Sequence, residues 1–239
     1  MSRSTEELTA RFEQLSTAVV FDVLDKLGFH DQAVCSKVKP LDPGMRIAGP
    51  AFTIVGRSLN DGSDYGSAAF EMFRAIRPGV VLVMGGAGHS VAGPWGENAS
   101  ISALQAGARG MVTDTGTRDA GPIVDLGFPV FSGYVSPVFM SGRFAIVGHE
   151  QPITLAGQTG REVTVSPGDF VIADRDGVVI VPGQLVTAVL AGCEELERIE
   201  GEIRKALRNG EERESVYRRL PKFAHLKEIA RSSGVARST

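Results

Sequence analysis

The segment between Pro78 and Phe131 constrains the fold more than any other part of the chain. Three short apolar runs, VVLVM (80–84), GMVT (110–113) and FPVF (128–131), alternate with two stretches of helical pattern, WGENASISALQAG (95–107) and DAGPIVDLG (119–127). Apolar runs of this length fit strands buried on both faces, and a helix between two of them supplies the crossover that parallel neighbours require. Such crossovers are right-handed, so the segment predicts a parallel βαβαβ core. Ahead of it, RIAGPAFTIVG (46–56) is β-rich, and its Gly49-Pro50 pair predicts a bulge or an irregular start. A helix is expected over about 65–76.

The flanks read differently. Ser4 with Glu7 forms a capping-box pattern for a first helix over about 5–15, and Ser16 opens a second in which Val20, Val23, Leu24 and Leu27 share one face before Gly28 stops it. Residues 151–182 carry EVTV (162–165), FVIA (170–173) and VVIVP (178–182) between turn signals, the pattern of antiparallel hairpins. From 184 to 208 a long charged helix is expected, followed by a basic tail that is helical in part. The predicted organisation is a single α/β domain, with N-terminal helices over 5–28, a core over about 45–183 and a C-terminal helical extension over 184–239.

The 239 residues hold 25 Lys+Arg against 28 Asp+Glu, a formal charge of −3, which supplies no broad footprint for nucleic acid or anionic membranes. At 43% hydrophobic and 22% charged, the body is not of the disordered class. No apolar run reaches the roughly 18 to 20 residues of a membrane span, and MSRSTEELTARFEQL carries acids where a signal peptide has an apolar core. A cytoplasmic protein is expected. Cys35 and Cys193 are far apart and belong to no CxxC pair, so both read as fillers.

In a parallel sheet, ligands bind beyond the carboxyl ends of strands. Two segments fall there, GGAGHSVAGPWGENAS (85–100) and DTGTRD (114–119). If their strands are neighbours, the first-turn amides of Gly96, Glu97, Asn98 and Ala99 face the same pocket as Arg118 and Asp119. Amides and a guanidinium suit a small carboxylate or phosphate, and an acid beside that anion suits an intervening divalent cation. The alternative is a surface pair in which Asp119 caps the next helix. His89 could line the pocket or be a loop histidine bonded to backbone. Trp95 is expected to pack at the helix start, and Asp114 reads either as a supporting acid or as a turn residue. Other motifs fail: Val91 occupies the third glycine position of GxGxxG, Ser90 lies too far from its strand for a nucleophile elbow, and the four histidines lack zinc-site spacing.

The ordered motifs GPAFTIVG, PGVVLVMGGAG, AGPWGENASISALQAGARGMVTDTGTRDAGPIVDLGFPVFSGYVSP and PGDFVIADRDGVVIVP resemble the RraA-like family over about 45–210. That family includes class II 4-hydroxy-4-methyl-2-oxoglutarate/4-carboxy-4-hydroxy-2-oxoadipate aldolases and the regulator of ribonuclease E activity A. The resemblance implies a β-β-α swivelling-type fold, assembled as homotrimers or homohexamers with sites at subunit interfaces. It implies a small 2-oxo acid substrate, with pyruvate's carboxylate on the helix terminus at Gly96, Glu97, Asn98 and Ala99. It further implies Mg²⁺ or Mn²⁺ on Asp119, Arg118 on the enolate oxygen, and Glu200 from the adjacent subunit completing the metal's water shell. The pattern E-x-x-x-R-x-x-L-x-x-G-E is met by Glu200, Arg204, Leu207, Gly210 and Glu211. His89, where many members have an acid, Ile199, where a Lys is usual, and a tail extending past 211 depart from the family pattern.

The activity implied is metal-dependent cleavage of a 4-hydroxy-2-oxo dicarboxylic or tricarboxylic acid, with decarboxylation of oxaloacetate by the same enolate. A Schiff-base route needs a lysine, and residues 45–150 contain none. The competing reading is a non-catalytic regulator that binds a ribonuclease or another protein. The long helix over 184–211 with its Glu200 favours the enzyme.

Overall fold

The computed structural model describes residues 4–59 and 68–232. Serine side chains start the first two helices: Ser4 accepts the Glu7 amide at the head of α1 (Thr5–Phe12), and Ser16 accepts that of Val19 at the head of α2 (Thr17–Lys26). α1 therefore ends three residues before the predicted boundary. Gly28, at φ 96°, turns the chain out of α2 in the left-handed conformation that glycine adopts without strain.

The main sheet has eight strands in the order β1 (Lys39–Pro40), β5 (Val130–Val135), β4 (Gly110–Thr117), β3 (Val81–Gly85), β2 (Ile47–Ser58), β9 (Phe170–Asp174) and β10 (Gly177–Val181), with β6 (Phe144–His149) also on β2. β2, β3, β4 and β5 are mutually parallel, the core expected from the apolar runs, while β9, β10 and β6 join antiparallel. β7 (Ile153–Ala156) and β8 (Glu162–Val165) form a separate hairpin. The short strands β1, β6 and β7 have no counterpart in the sequence reading.

Gly49-Pro50 does not bulge. Pro50 is the last residue of β2 paired to β9, and pairing to β3 begins at Ala51, so its missing amide falls where the strand changes partners. The irregularity lies instead between Val55 and Gly56, where the Phe144 ring sits so close that a Cβ on Gly56 would be 2.2 Å from it.

Helices α3 (Ala68–Ala75), α4 (Glu97–Gln105) and α5 (Ala120–Leu126) cover one face of the parallel strands around Phe52, Leu82, Met84, Trp95 and Phe128. Residues 65–67 of the predicted helix over 65–76 lie outside the described residues. The β7–β8 hairpin packs with the opposite face through Leu155, Val163 and Val165. α6 (Val186–Arg208), preceded by a 3₁₀ turn at Gly183–Leu185, packs on α2 and α1. α7 (Arg213–Arg219) and α8 (Leu226–Ser232) follow it. Among the described residues, no helix is long and apolar enough to cross a membrane.

Candidate active site

β3 and β4 pair in parallel with Met84 opposite Thr113, so the loops that follow them open on one edge of the sheet. The Trp95 carbonyl joins the two loops, accepting the Arg118 amide and the Thr117 hydroxyl, both at 2.8 Å. Trp95 is fully buried, its indole donates to Ser100 Oγ at 2.9 Å, and its ring lies 6.0 Å from that of Phe73. It packs as expected.

α4 begins at Gly96, whose extended backbone (φ −147°) carries no side-chain cap. The first-turn amides of a helix have no partner within it, and they concentrate the positive end of its dipole. Here the Glu97 amide donates to Asp119 Oδ2 at 3.2 Å, and those of Asn98 and Ala99 have no partner among the described residues. A Cβ on Gly96 would lie 2.7 Å from Asp119 Oδ2 and 3.1 Å from Arg118 Cγ, so only glycine lets the two loops approach this closely.

Asp119 stands at the N-cap position of α5 but does not act as a cap. Its backbone is left-handed (φ 57°, ψ 38°), and its carboxylate makes no bond to its own helix. That conformation costs a non-glycine residue on the order of 1 kcal/mol or more. It turns the carboxylate across the cavity to α4, where Arg118 Nε lies 3.3 Å from Oδ2. The Arg118 guanidinium sits 5.3 Å from the Phe139 ring centroid, and its terminal nitrogens have no partner among the described residues. Both side chains are about one-third exposed, at 34% and 35%.

These groups line a cavity of about 260 Å³. Gly96, Asn98, Ala99, Arg118 and Asp119 form its polar side; Phe70 and Phe73 of α3, Phe139, Met140 and Ile146 of β6 form an apolar wall. The sequence reading missed that wall, whose residues come from elements distant in the chain and follow no single periodicity.

The carboxylate of Asp119 has about four lone-pair sites and, among the described residues, accepts from Glu97 and Arg118, which leaves room for a cation. Among the described residues, no three His, Cys, Asp or Glu side chains converge as a metal cage. A lone carboxylate beside open cavity suits Mg²⁺ or Mn²⁺ with a shell made mostly of water and substrate oxygens.

Glu200 is not brought to this cavity within one chain. It lies on α6, 17% exposed, paired with Lys222 and with Arg204 Nη1 at 3.8 Å. Asp22 of α2 shares this cluster, and burial pushes its carboxyl up, with Lys222 opposing the shift.

His89 is the backbone-bonded loop histidine. Nε2 accepts the Ala92 amide at 2.9 Å, which fixes the proton on Nδ1 for donation to Ser58 Oγ at 2.9 Å. Burial lowers its pKa from the usual 6.5. Asp114 accepts the Gly86 amide at 2.8 Å, and burial raises its pKa against the pull of backbone amides. It lines a separate cavity beside Tyr134 and the β7–β8 hairpin.

Fold and site together define a mixed α/β protein whose parallel strand ends carry an uncapped helix terminus beside an adjoining Arg–Asp pair. The chain belongs to the RraA-like family, whose model, described as Aldolase/RraA, matches residues 17–180. It is 27% identical over 182 residues to a Halalkalibacterium halodurans protein provisionally named 4-hydroxy-4-methyl-2-oxoglutarate aldolase, covering 76% of this chain and 80% of that one. Protein DlpA of Legionella pneumophila is 27% identical over 197 residues, 82% of this chain, but the chain spans only 31% of DlpA. Among solved structures, Streptomyces coelicolor RraAS2, described as an unusual member of the RNase ES inhibitor RraA protein family, matches with a TM-score of 0.75. The identity is 26%, over 85% of this chain and 99% of RraAS2. The family thus includes proteins named as aldolases and proteins named as ribonuclease inhibitors.

Proposed function

We propose that the protein is a divalent-metal-dependent pyruvate lyase, which cleaves a 4-hydroxy-2-oxo acid through a pyruvate enolate and decarboxylates oxaloacetate by the same route. The observation that carries this reading is the meeting, in one cavity, of the open α4 terminus, the Arg118 guanidinium and an Asp119 carboxylate held away from its own helix.

The Asn98 and Ala99 amides, at the positive end of α4, receive the substrate carboxylate. Arg118 donates to the 2-oxo oxygen, where negative charge grows as the bond to C4 breaks, and a donor already in place stabilises that charge without reorganising. The Phe139 ring beneath the guanidinium favours its position. Asp119 holds Mg²⁺ or Mn²⁺, which supplies Lewis-acid polarisation of the 2-oxo acid when bound. Among the described residues the cavity is lined by no lysine, so they offer a Schiff base no attachment point there. Glu200 acts from the adjacent subunit of a homotrimer or homohexamer, a role that requires it to exchange its pairing with Lys222 and Arg204 for the metal's water shell.

The test is pyruvate release from oxaloacetate and from 4-hydroxy-4-methyl-2-oxoglutarate with Mg²⁺ or Mn²⁺. Turnover that disappears with EDTA and in Asp119→Asn is the expected result. Absence of turnover on both substrates would move the reading to a different 2-oxo acid or to a protein-binding regulator. Confirmed mixed oligomers of Glu200→Ala and Asp119→Asn should regain activity, and no recovery would refute the shared site.

A further inference from the structure

We infer that Lys222 is a switch on the shared site: paired with Glu200 it withholds that carboxylate from the adjacent subunit, and passed to Asp22 it releases it. This rests on the reading of Glu200 as the residue that acts in trans, and it supplies the regulation of that residue.

Within one chain Glu200 is held inward. Lys222 donates to its Oε1, and Arg204 Nη1 lies 3.8 Å from Oε2. The pairing leaves the Glu200 side chain 17% exposed, whereas service to a neighbouring subunit requires it to face outward. Arg204 stands one turn along the same helix α6 and is itself bonded to Glu197, so it travels with Glu200 and its charge is already shared. Lys222 belongs to a different element, and its ammonium is the contact that can be withdrawn.

Lys222 lies in the turn between α7 and α8, on the tail that departs from the family pattern. Both flanks of the turn are anchored. Val216 of α7 is fully buried against Ile199, Ile203 and Ala206 of α6. On the other side Leu226 is buried against α2 and α6, and His225 Nε2 donates to the Gly192 carbonyl at 3.1 Å. The turn itself is loosely tied, with backbone bonds of 3.4 Å from Ala224 to Pro221 and 3.2 Å from Leu226 to Phe223. A compact ammonium on a flexible four-carbon stem can therefore change partner while the anchors stay in place.

The receiving partner is Asp22. It is partly buried on α2 and makes no hydrogen bond among the described residues. A carboxylate withdrawn from water without a partner is costly, and an arriving cation offsets that cost. Lys222 is the charge that most opposes the upward push of burial on Asp22, ahead of Lys26. The Lys26 ammonium is 3.8 Å from Asp25 and 5.2 Å from the Phe223 ring centroid, so it is engaged already. One ammonium thus serves two carboxylates, which gives two states for a ligand at the neighbouring site to choose between.

The test uses the full-length protein with Mn²⁺ and oxalate, a planar dianion shaped like the pyruvate enolate. Mn²⁺ affinity is read from the EPR signal of the free ion, beside kcat for pyruvate release. The apparent dissociation constant scales inversely with the released fraction of sites, so a fraction of about one-tenth makes removal of the latch worth about tenfold. Lys222→Gln should bind Mn²⁺ about threefold to tenfold more tightly than wild type, and Asp22→Asn about threefold more weakly. The double variant should match Lys222→Gln, because Asp22 acts through Lys222 alone. A lysine that only supported the fold would move both single variants the same way. Lys222→Gln that binds no more tightly, an unchanged Asp22→Asn, or a double variant as weak as Asp22→Asn overturns the inference. The trans reading still stands in that event if Glu200→Ala loses about tenfold in affinity or kcat. Glu200→Ala that alters neither, or a wild type that binds no Mn²⁺, overturns both.

Discussion

Replacing Gly96 by alanine tests the site at its tightest point. The backbone there is extended, so alanine meets no conformational barrier, and the effect comes from the methyl group alone. That methyl would sit 2.7 Å from Asp119 Oδ2, against about 3.4 Å for an ordinary contact, so the carboxylate must retreat by about 0.7 Å. The retreat breaks the 3.2 Å bond from the Glu97 amide. A charge-assisted bond contributes about 1.5–3 kcal/mol when well buried, and less here, where the carboxylate is one-third exposed. With the weaker N-cap preference of alanine, the expected stability loss is about 1–2 kcal/mol, read as a lower urea midpoint at unchanged m. The catalytic loss is larger: misplacement approaching 1 Å costs about tenfold to a hundredfold in kcat, measured as pyruvate release coupled to lactate dehydrogenase. Gly121→Ala in α5 is the control, because its added methyl meets no atom within 4 Å and should leave kcat unchanged. Wild-type kcat in Gly96→Ala, or an equal loss in Gly121→Ala, would refute the reasoning.

Three other perturbations address separate parts of the molecule. Arg118→Lys should lower kcat by about tenfold or more, because an ammonium cannot reproduce the planar fork of a guanidinium lying over the Phe139 ring; steady-state kinetics decide it. Asp174→Ala should cost about 3 kcal/mol in urea unfolding with activity per folded molecule unchanged, since the buried Asp174 carboxylate holds the Thr17 amide at 3.0 Å, the Thr17 hydroxyl at 2.7 Å and the Asp176 amide at 3.0 Å. His89 has a lowered pKa in the fold, so the unfolded chain binds the extra proton first: the stability it contributes is full above about pH 6.5 and is lost as pH falls through the folded value. The urea midpoint of the wild type should therefore lose its lead over His89→Gln between about pH 7.5 and 5, and a constant difference would show that His89 is not held neutral.

The parallel core was legible because burial on both faces leaves a local mark: VVLVM, GMVT and FPVF are short runs with no charged residue. The same logic located Arg118, Asp119 and the α4 terminus at strand ends, subject only to β3 and β4 being neighbours. What escaped depends on contacts between distant segments. The irregularity in β2 sits at Gly56 because the Phe144 ring, nearly ninety residues on, needs the space. The apolar wall joins α3 to the 139–146 segment, and nothing in Phe70 or Ile146 alone announces it. For Asp119 the sequence left a site acid and a helix cap both open: it stands at the cap position, but its left-handed backbone accompanies a carboxylate that accepts from α4 instead of its own helix.

Trp95 is the only tryptophan in the chain, and its own carbonyl binds Arg118 and Thr117. Intrinsic fluorescence excited at the indole band therefore reports from a single fluorophore at the hinge between the two site loops. An anion or cation entering beside Arg118 and Asp119 should change its emission without any label, and a titration in a cuvette would give ligand affinities before a substrate is known.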